Sequence, residues 1–259
     1  MTFVHSEYKN QIGTIIMNHP EKRNALSSGM IEEIIESLNH FKKEKARVVI
    51  LRAEPGSKVW SAGHDVKELP LSGRDPLAYT DPLRVVVREV NNFPAPIIAM
   101  IEGGVWGGAC ELVLACDLRV ASAGATFAIT PTKLGVPYNA TGILTCLTVV
   151  SMATLKEMFF TAQPISAARA EKLGMINHRI APDELETFTY DMAEGICNNA
   201  PLSIQFIKEQ LRILSGAKNL TPETFERIQS LRKVVYDSQD YREGISAFLE
   251  KRKSVFTGK

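Results

Sequence analysis

The feature that most constrains the fold is the stretch from Pro96 to Ser122. An apolar run of strand length, Ile97-Ile98-Ala99-Met100-Ile101, leads into the segment Glu102-Gly103-Gly104-Val105-Trp106-Gly107-Gly108-Ala109-Cys110-Glu111, with its four glycines, and then into Leu112-Val113-Leu114-Ala115-Cys116-Asp117. The pattern predicts a buried strand, a tight turn and a buried helix. Glycine lacks a Cβ, so a ligand can approach the turn closely, and the unpaired N–H groups opening the helix face outward on the positive end of its dipole. Such a turn either cradles an anion or oxyanion or packs the helix tightly on its strand, and the stretch alone leaves both open.

A buried strand and helix need a core around them. With 259 residues, 45% of them hydrophobic, the chain can build one large domain, or a domain with a helical appendage, without a metal or disulfide staple. Its net charge of +1, with signs well mixed, argues against nucleic acid or an anionic membrane as partner. The cysteines Cys110, Cys116, Cys146 and Cys197 form no CxxC pair and have no histidine at metal-ligand spacing, so they read as reduced core residues. The residues Met1 to Glu7 carry no targeting pattern and no apolar run reaches spanning length. The expected location is the cytoplasm.

Ile12 to Met17 reads as a strand that follows another by a short turn around Asn10. A helix is expected from Ser27 or Ser28, with Met30, Ile31, Ile34, Ile35, Leu38 and Phe41 on its buried face. Val48 to Leu51 is a buried strand running on to the loop Ser61-Ala62-Gly63-His64-Asp65. Leu69 to Pro82, rich in Pro, Gly and Asp, reads as a flap, and Leu83 to Val90 as a helix stopped by Pro94 and Pro96. Short strands are expected at Leu118 to Ala121 and Thr126 to Ile129, followed by a loop over Thr130 to Asn139 that forms a second cavity wall. From Gly142 the chain reads as helical, with starts at Ser166, Pro182, Pro201, Thr221-Pro222 and Asp240 and one strand at Ile176 to Ile180. Residues 1–200 are assigned to a β/α core and 201–259 to a helical region.

Phosphate-loop, dinucleotide, zinc-protease and nucleophile-elbow motifs are absent. The chain instead carries Lys22-Arg23-Asn24-Ala25-Leu26, the S-A-G-x-D loop at Ser61, the glycine turn with Glu111, Cys116-Asp117-Leu118-Arg119-Val120-Ala121, Leu134-Gly135, Ala168-Arg169-Ala170 with Leu173-Gly174, and Phe248-Leu249-Glu250-Lys251-Arg252-Lys253. In this combination, spread over the whole chain, it resembles the enoyl-CoA hydratase/isomerase (crotonase) superfamily. The resemblance implies an α/β fold, the crotonase (ClpP-like) β/α spiral core with a C-terminal helical trimerisation region, assembled as a homotrimer or a dimer of trimers. It also implies that the backbone N–H groups of His64 and Gly108 form an oxyanion hole for a CoA thioester and stabilise an enolate. The CoA moiety is expected along Lys22, Arg23 and Ala25 and along Ala62, His64, Asp65, Val66, Lys67 and Glu68, with Lys251 near its phosphates or adenine. No separate cofactor is expected, since CoA is part of the substrate.

Hydratases of that family hold water between two glutamates. Glu111 matches one, but the other falls on Pro131. Loss of CO₂ from a malonyl-type thioester leaves an enolate, so it needs the oxyanion hole and a positioned carboxylate but no base to remove a C–H proton. A second carboxylate in the site would repel the substrate's own. Thr130 and Tyr138 are neutral donors in the right loop to hold that carboxylate without a cation that would stabilise it against departure. The resemblance implies decarboxylation of methylmalonyl-CoA to propionyl-CoA as the reaction; the alternatives are hydration, a related substrate such as ethylmalonyl- or malonyl-CoA, and non-catalytic acyl-CoA or RNA binding. The near-neutral charge argues against RNA. Within the site the side chain of His64 is either structural or a substrate contact, Thr130 a turn residue or a donor, and Tyr138 a core cap or a donor. Glu111 is either a vestigial, neutral or salt-bridged helix residue or the acid that protonates the enolate.

Overall fold

The chain opens on an antiparallel hairpin, β1 (Val4–Lys9) and β2 (Ile12–Met17), whose turn puts Asn10 and Gln11 at φ of 51° and 65°. The computed structural model describes residues 2–69, 78–215, 226, 230 and 233–257. The segment 70–77, within the stretch read as a flap, and the helix start at Thr221-Pro222 lie outside the described residues.

After the hairpin come α1 (Ser28–Lys43), β3 (Val48–Ala53), β4 (Val59–Ser61), α2 (Pro82–Asn92), β5 (Ile97–Ile101), β6 (Gly104–Trp106), α3 (Gly108–Ala115), β7 (Leu118–Ser122) and β8 (Thr126–Ala128). Then follow α4 (Ala140–Leu147), α5 (Met152–Thr161), β9 (Ile165–Ser166), α6 (Ala167–Lys172), β10 (His178–Ile180), α7 (Leu185–Cys197), α8 (Pro201–Ser215) and α9 (Gln239–Leu249). Ser27 caps α1 by accepting from the Met30 N–H, and Met30, Ile31, Ile34, Leu38 and Phe41 are buried as their helical spacing requires. Each such burial contributes roughly 1.5–3 kcal/mol. The short strands β4, β6 and β9 were not expected, since two or three residues in extended form leave no period to read. Two helix starts also shift: Ser238 caps α9, putting Asp240 in its first turn, and α7 starts at Leu185, later than Pro182 suggests.

Two sheets result. The larger runs β1-β2-β3-β5-β7-β10, parallel from β2 onward, and the strands β3 and β5 are buried along their whole length. The smaller runs β4-β6-β8-β9, with β4, β6 and β8 parallel. All eight residues of α3 are buried. The helix α9 packs on the turn after β8: Gly135, at φ 65°, has no room for a Cβ against the Asp240 carbonyl, and Tyr236, Tyr241 and Ile245 cluster with Val136 and Leu69.

Candidate active site

The small sheet brings the two glycine turns together. Because β4 and β6 run parallel, with Ser61 opposite Val105, the segments that follow them leave the sheet side by side at its carboxyl end. The parallel strand β8, with Ala128 opposite Trp106, sends Thr130 out at the same end. Open α/β sheets take their ligands at this edge. Gly63, at φ 87°, lies so close to the second turn that a Cβ would stand 2.8 Å from the Gly108 nitrogen and run into the Trp106 carbonyl. In turn a Cβ on Gly108 would be 3.6 Å from the His64 nitrogen. Gly107, at φ 57°, donates its N–H to the Ala128 carbonyl and so leaves the Gly108 N–H to open α3. The His64 and Gly108 N–H groups are thus neighbours, and among the described hydrogen bonds neither donates to another protein group.

They open on a cavity of about 560 Å³. Lys22, Arg23, Ala25, Ala62, His64, Asp65, Val66, Lys67, Gly108, Thr130 and Tyr138, all expected site residues, line it. Leu83, Trp106, Pro131, Lys133, Val136 and Phe248 complete the walls. The acidic side chains on the lining are Glu21, which is exposed, and Asp65, which sits 3.4 Å from the Lys22 ammonium. Both belong to the rim formed by the 20–25 and 62–68 segments. The Thr130 hydroxyl caps no N–H group and borders Gly107, where a Cβ would be 3.4 Å from it.

Three expected residues are placed elsewhere. Glu68 lies off the cavity and accepts from the Ser28 N–H and hydroxyl, tying its loop to the start of α1. Lys251 is exposed beyond the end of α9, at φ 56°, and does not reach the cavity; it is Phe248 that does. Glu111 is wholly buried, ion-paired with Arg84, and accepts the Tyr138 hydroxyl at 2.9 Å. Glu111 thus takes part in a buried salt bridge. The Tyr138 phenol has one proton to donate and gives it to Glu111, whereas no donated hydrogen bond is described for the Thr130 hydroxyl. Burial, then the negative charge of Glu111, push the Tyr138 phenol well above its ordinary 10.

Two partners escaped the sequence reading. Asp81 caps α2 by accepting from the Leu83 N–H at 2.9 Å, and its second oxygen lies 3.4 Å from His64 Nε2, while His64 Nδ1 lies 3.0 Å from the Asp65 carbonyl. Burial opposes charge on His64, but the hydrogen bond and charge of Asp81 outweigh it and hold the imidazole above its ordinary 6.5. With an acceptor at each ring nitrogen, the doubly protonated form donates at both. Arg84 shares the apolar face of α2 with Val87. A lone arginine on such a face signals a buried counter-charge, though not which one.

The enoyl-CoA hydratase/isomerase family model matches residues 7–259. The chain belongs to that family. A methylmalonyl-CoA decarboxylase of Escherichia coli (strain K12) is 49% identical over 249 residues, covering 96% of this chain and 95% of that protein. A solved structure of methylmalonyl-CoA decarboxylase in complex with 2-nitronate-propionyl-CoA superposes with a TM-score of 0.98 at 48% identity, covering 99% of each chain. Another, complexed with 2S-carboxypropyl-CoA, gives 0.98 at 47% identity over 100% of this chain and 99% of that one. The fold is therefore the crotonase fold of the enoyl-CoA hydratase/isomerase family. Among the described residues no helix is long and apolar enough to cross a membrane, and no group of three or more His, Cys, Asp or Glu could hold a metal.

Proposed function

We propose that the chain decarboxylates methylmalonyl-CoA to propionyl-CoA and CO₂. The observation that carries this is the cavity lining: two adjacent N–H donors on one side, and on the other Thr130, Pro131, Val136 and Tyr138, with no acid among them. As the C–CO₂ bond breaks, its electron pair moves into the thioester and the carbonyl oxygen becomes an enolate oxygen. Donors fixed before the reaction are worth far more there than reorganising water, and the positive end of α3 adds to them. Thr130 positions the departing carboxylate by one neutral hydrogen bond. The apolar remainder of that wall leaves the carboxylate poorly solvated, while its neutral product, CO₂, needs no solvation. The cationic rim, Lys22, Arg23, Lys67 and Lys133, suits the phosphates of an acyl-CoA. The near identity of fold with decarboxylases bound to CoA ligands supports the same reading.

The test is incubation with methylmalonyl-CoA and crotonyl-CoA, with products read by mass spectrometry. Propionyl-CoA from the first and no hydration of the second is expected; efficient hydration of crotonyl-CoA would reverse the assignment. The reading extends to assembly. Leu202, Phe206, Ile207, Leu211 and Leu214 stand exposed on α8, more apolar surface than a solvated helix carries, which suits a homotrimer or a dimer of trimers in the cytoplasm. A monomer by light scattering at micromolar concentration would contradict the assembly.

A further inference from the structure

The ion pair behind Tyr138 takes no part in the steps above. The Arg84 guanidinium enters from α2, where one nitrogen, Nη1, meets the Glu111 carboxylate, the Asn139 side-chain carbonyl oxygen at 3.1 Å and the Thr141 hydroxyl at 3.2 Å. Its Nε and Nη2, and Asn139 Nδ2, are buried without a protein partner among the described residues. Stability does not account for so costly a group, because apolar side chains of the same volume commonly replace a buried ion pair with no loss.

What the pair does can be followed outward to the cavity. Arg84 is the counter-charge paired with the buried Glu111, and Glu111 accepts the one proton of Tyr138, whose ring lines the cavity. The helix α4 closes over both: a Cβ on Gly142 would come to 2.5 Å from Glu111 Oε2 and 2.6 Å from Tyr138 Cε1. On its other side the Tyr138 ring packs edge-on against Phe159, centroids 4.8 Å apart. We propose that Arg84 is a positioning residue for the decarboxylation: through Glu111 it fixes the Tyr138 ring in the cavity wall and keeps the phenol proton turned away from the substrate. The site then presents no side-chain acid at this wall, and its geometry is set by a charge two side chains removed. Without Arg84, the buried Glu111 carboxyl is left without a counter-charge. The Tyr138 proton then loses its fixed acceptor.

The proposal rests on the decarboxylase reading, so its test begins with wild-type turnover of methylmalonyl-CoA. No turnover removes that reading and this proposal together; wild-type turnover with unperturbed variants removes this proposal alone. The measurement is kcat and KM between about pH 5 and 9, where functional side chains titrate. The groups facing Glu111 are Arg84 on α2, Tyr138 and Cys146 on α4, with Cys110 of its own helix next to Cys146. Burial pushes the Cys110 thiol up to about 12, and Cys146 and Tyr138 well above their ordinary values, so none of them titrates in that window. The wild-type profile supplies the contribution of His64. Arg84→Met should lower kcat about tenfold to a hundredfold, the cost of a misplaced wall, with KM within about twofold. It should also change the pH profile relative to wild type. Arg84→Lys should restore most of kcat, and Arg84→Met/Glu111→Gln should remove that change. Should Arg84→Met fail to fold, the double variant, which leaves no buried ion, decides: kcat lowered with KM kept upholds the proposal. Wild-type kcat in that variant, or equal changes in kcat and KM, overturns it.

Discussion

The substitution Gly63→Ala tests whether the contact between the two glycine turns makes the site. A methyl at Gly63 would sit 2.4 Å from the Trp106 carbonyl oxygen and 2.8 Å from the Gly108 nitrogen, whereas ordinary contact begins at 3.4 Å, so the turns must part by about 1.0 Å. The positive φ adds about 1–2 kcal/mol of backbone strain. Gly56 separates the two costs: it has φ 77° and nothing within 4 Å of an added methyl, so Gly56→Ala carries the strain without the displacement. For a chain of this size each kcal/mol lowers Tm by about 2–4 °C, so both variants should melt a few degrees early. Only Gly63→Ala should lose turnover. Complete loss of one oxyanion donor costs about 2.7–4 kcal/mol, and partial displacement should cost about tenfold to a hundredfold in kcat. The assay is propionyl-CoA formation under saturating methylmalonyl-CoA, with thermal unfolding of both variants. A folded Gly63→Ala protein with kcat within about threefold of Gly56→Ala would show that the close approach only packs the helix, and the oxyanion assignment would fall.

Tyr138→Phe should leave Glu111 Oε2 one donor short, costing about 1–3 kcal/mol of stability, and should slow turnover more than it weakens propionyl-CoA binding; equal losses would mark the residue as packing alone. The Asp81–His64 pair predicts a pH dependence of stability. His64 is held above 6.5 in the fold, so the pair's contribution is complete below that value and is lost as pH rises through the folded value. Asp81→Asn keeps the α2 cap and should therefore differ from wild type in Tm below about pH 6.5 and converge with it in alkali. A difference independent of pH would refute the pairing.

The sequence carried the scaffold because burial leaves a period: the spacing of Met30, Ile34, Leu38 and Phe41 allows one helix face, and Val48 to Leu51 allows only a covered strand. It carried the second glycine turn because glycine beside glycine has a backbone reason, and Gly107 there proves to lie at positive φ, as does Gly63 in the first turn. What it lacked was pairing. Nothing local in Arg84 names Glu111, since 27 residues and two elements separate them, and nothing in Tyr138 says that its proton faces inward. The short strands β4 and β6, which bring the turns together, are also too brief to announce themselves. Lys251 and Glu68 entered through the resemblance, and among their chain neighbours Phe248 and Asp65 line the cavity.

The packing of α9 on the turn after β8 has a practical consequence for handling the protein. The wall carrying Thr130, Pro131 and Tyr138 is braced from behind by residues about 100 positions later in the chain, with Asp240 against Gly135 and Tyr236 and Tyr241 around Val136. A nick near Ser238, or a bulky fusion joined directly after Leu249, would leave both sheets intact and the far-UV spectrum nearly unchanged while the cavity lost its backing. Spectroscopic integrity is therefore a poor guide to an active preparation, and intact mass at the C-terminal end is the better one.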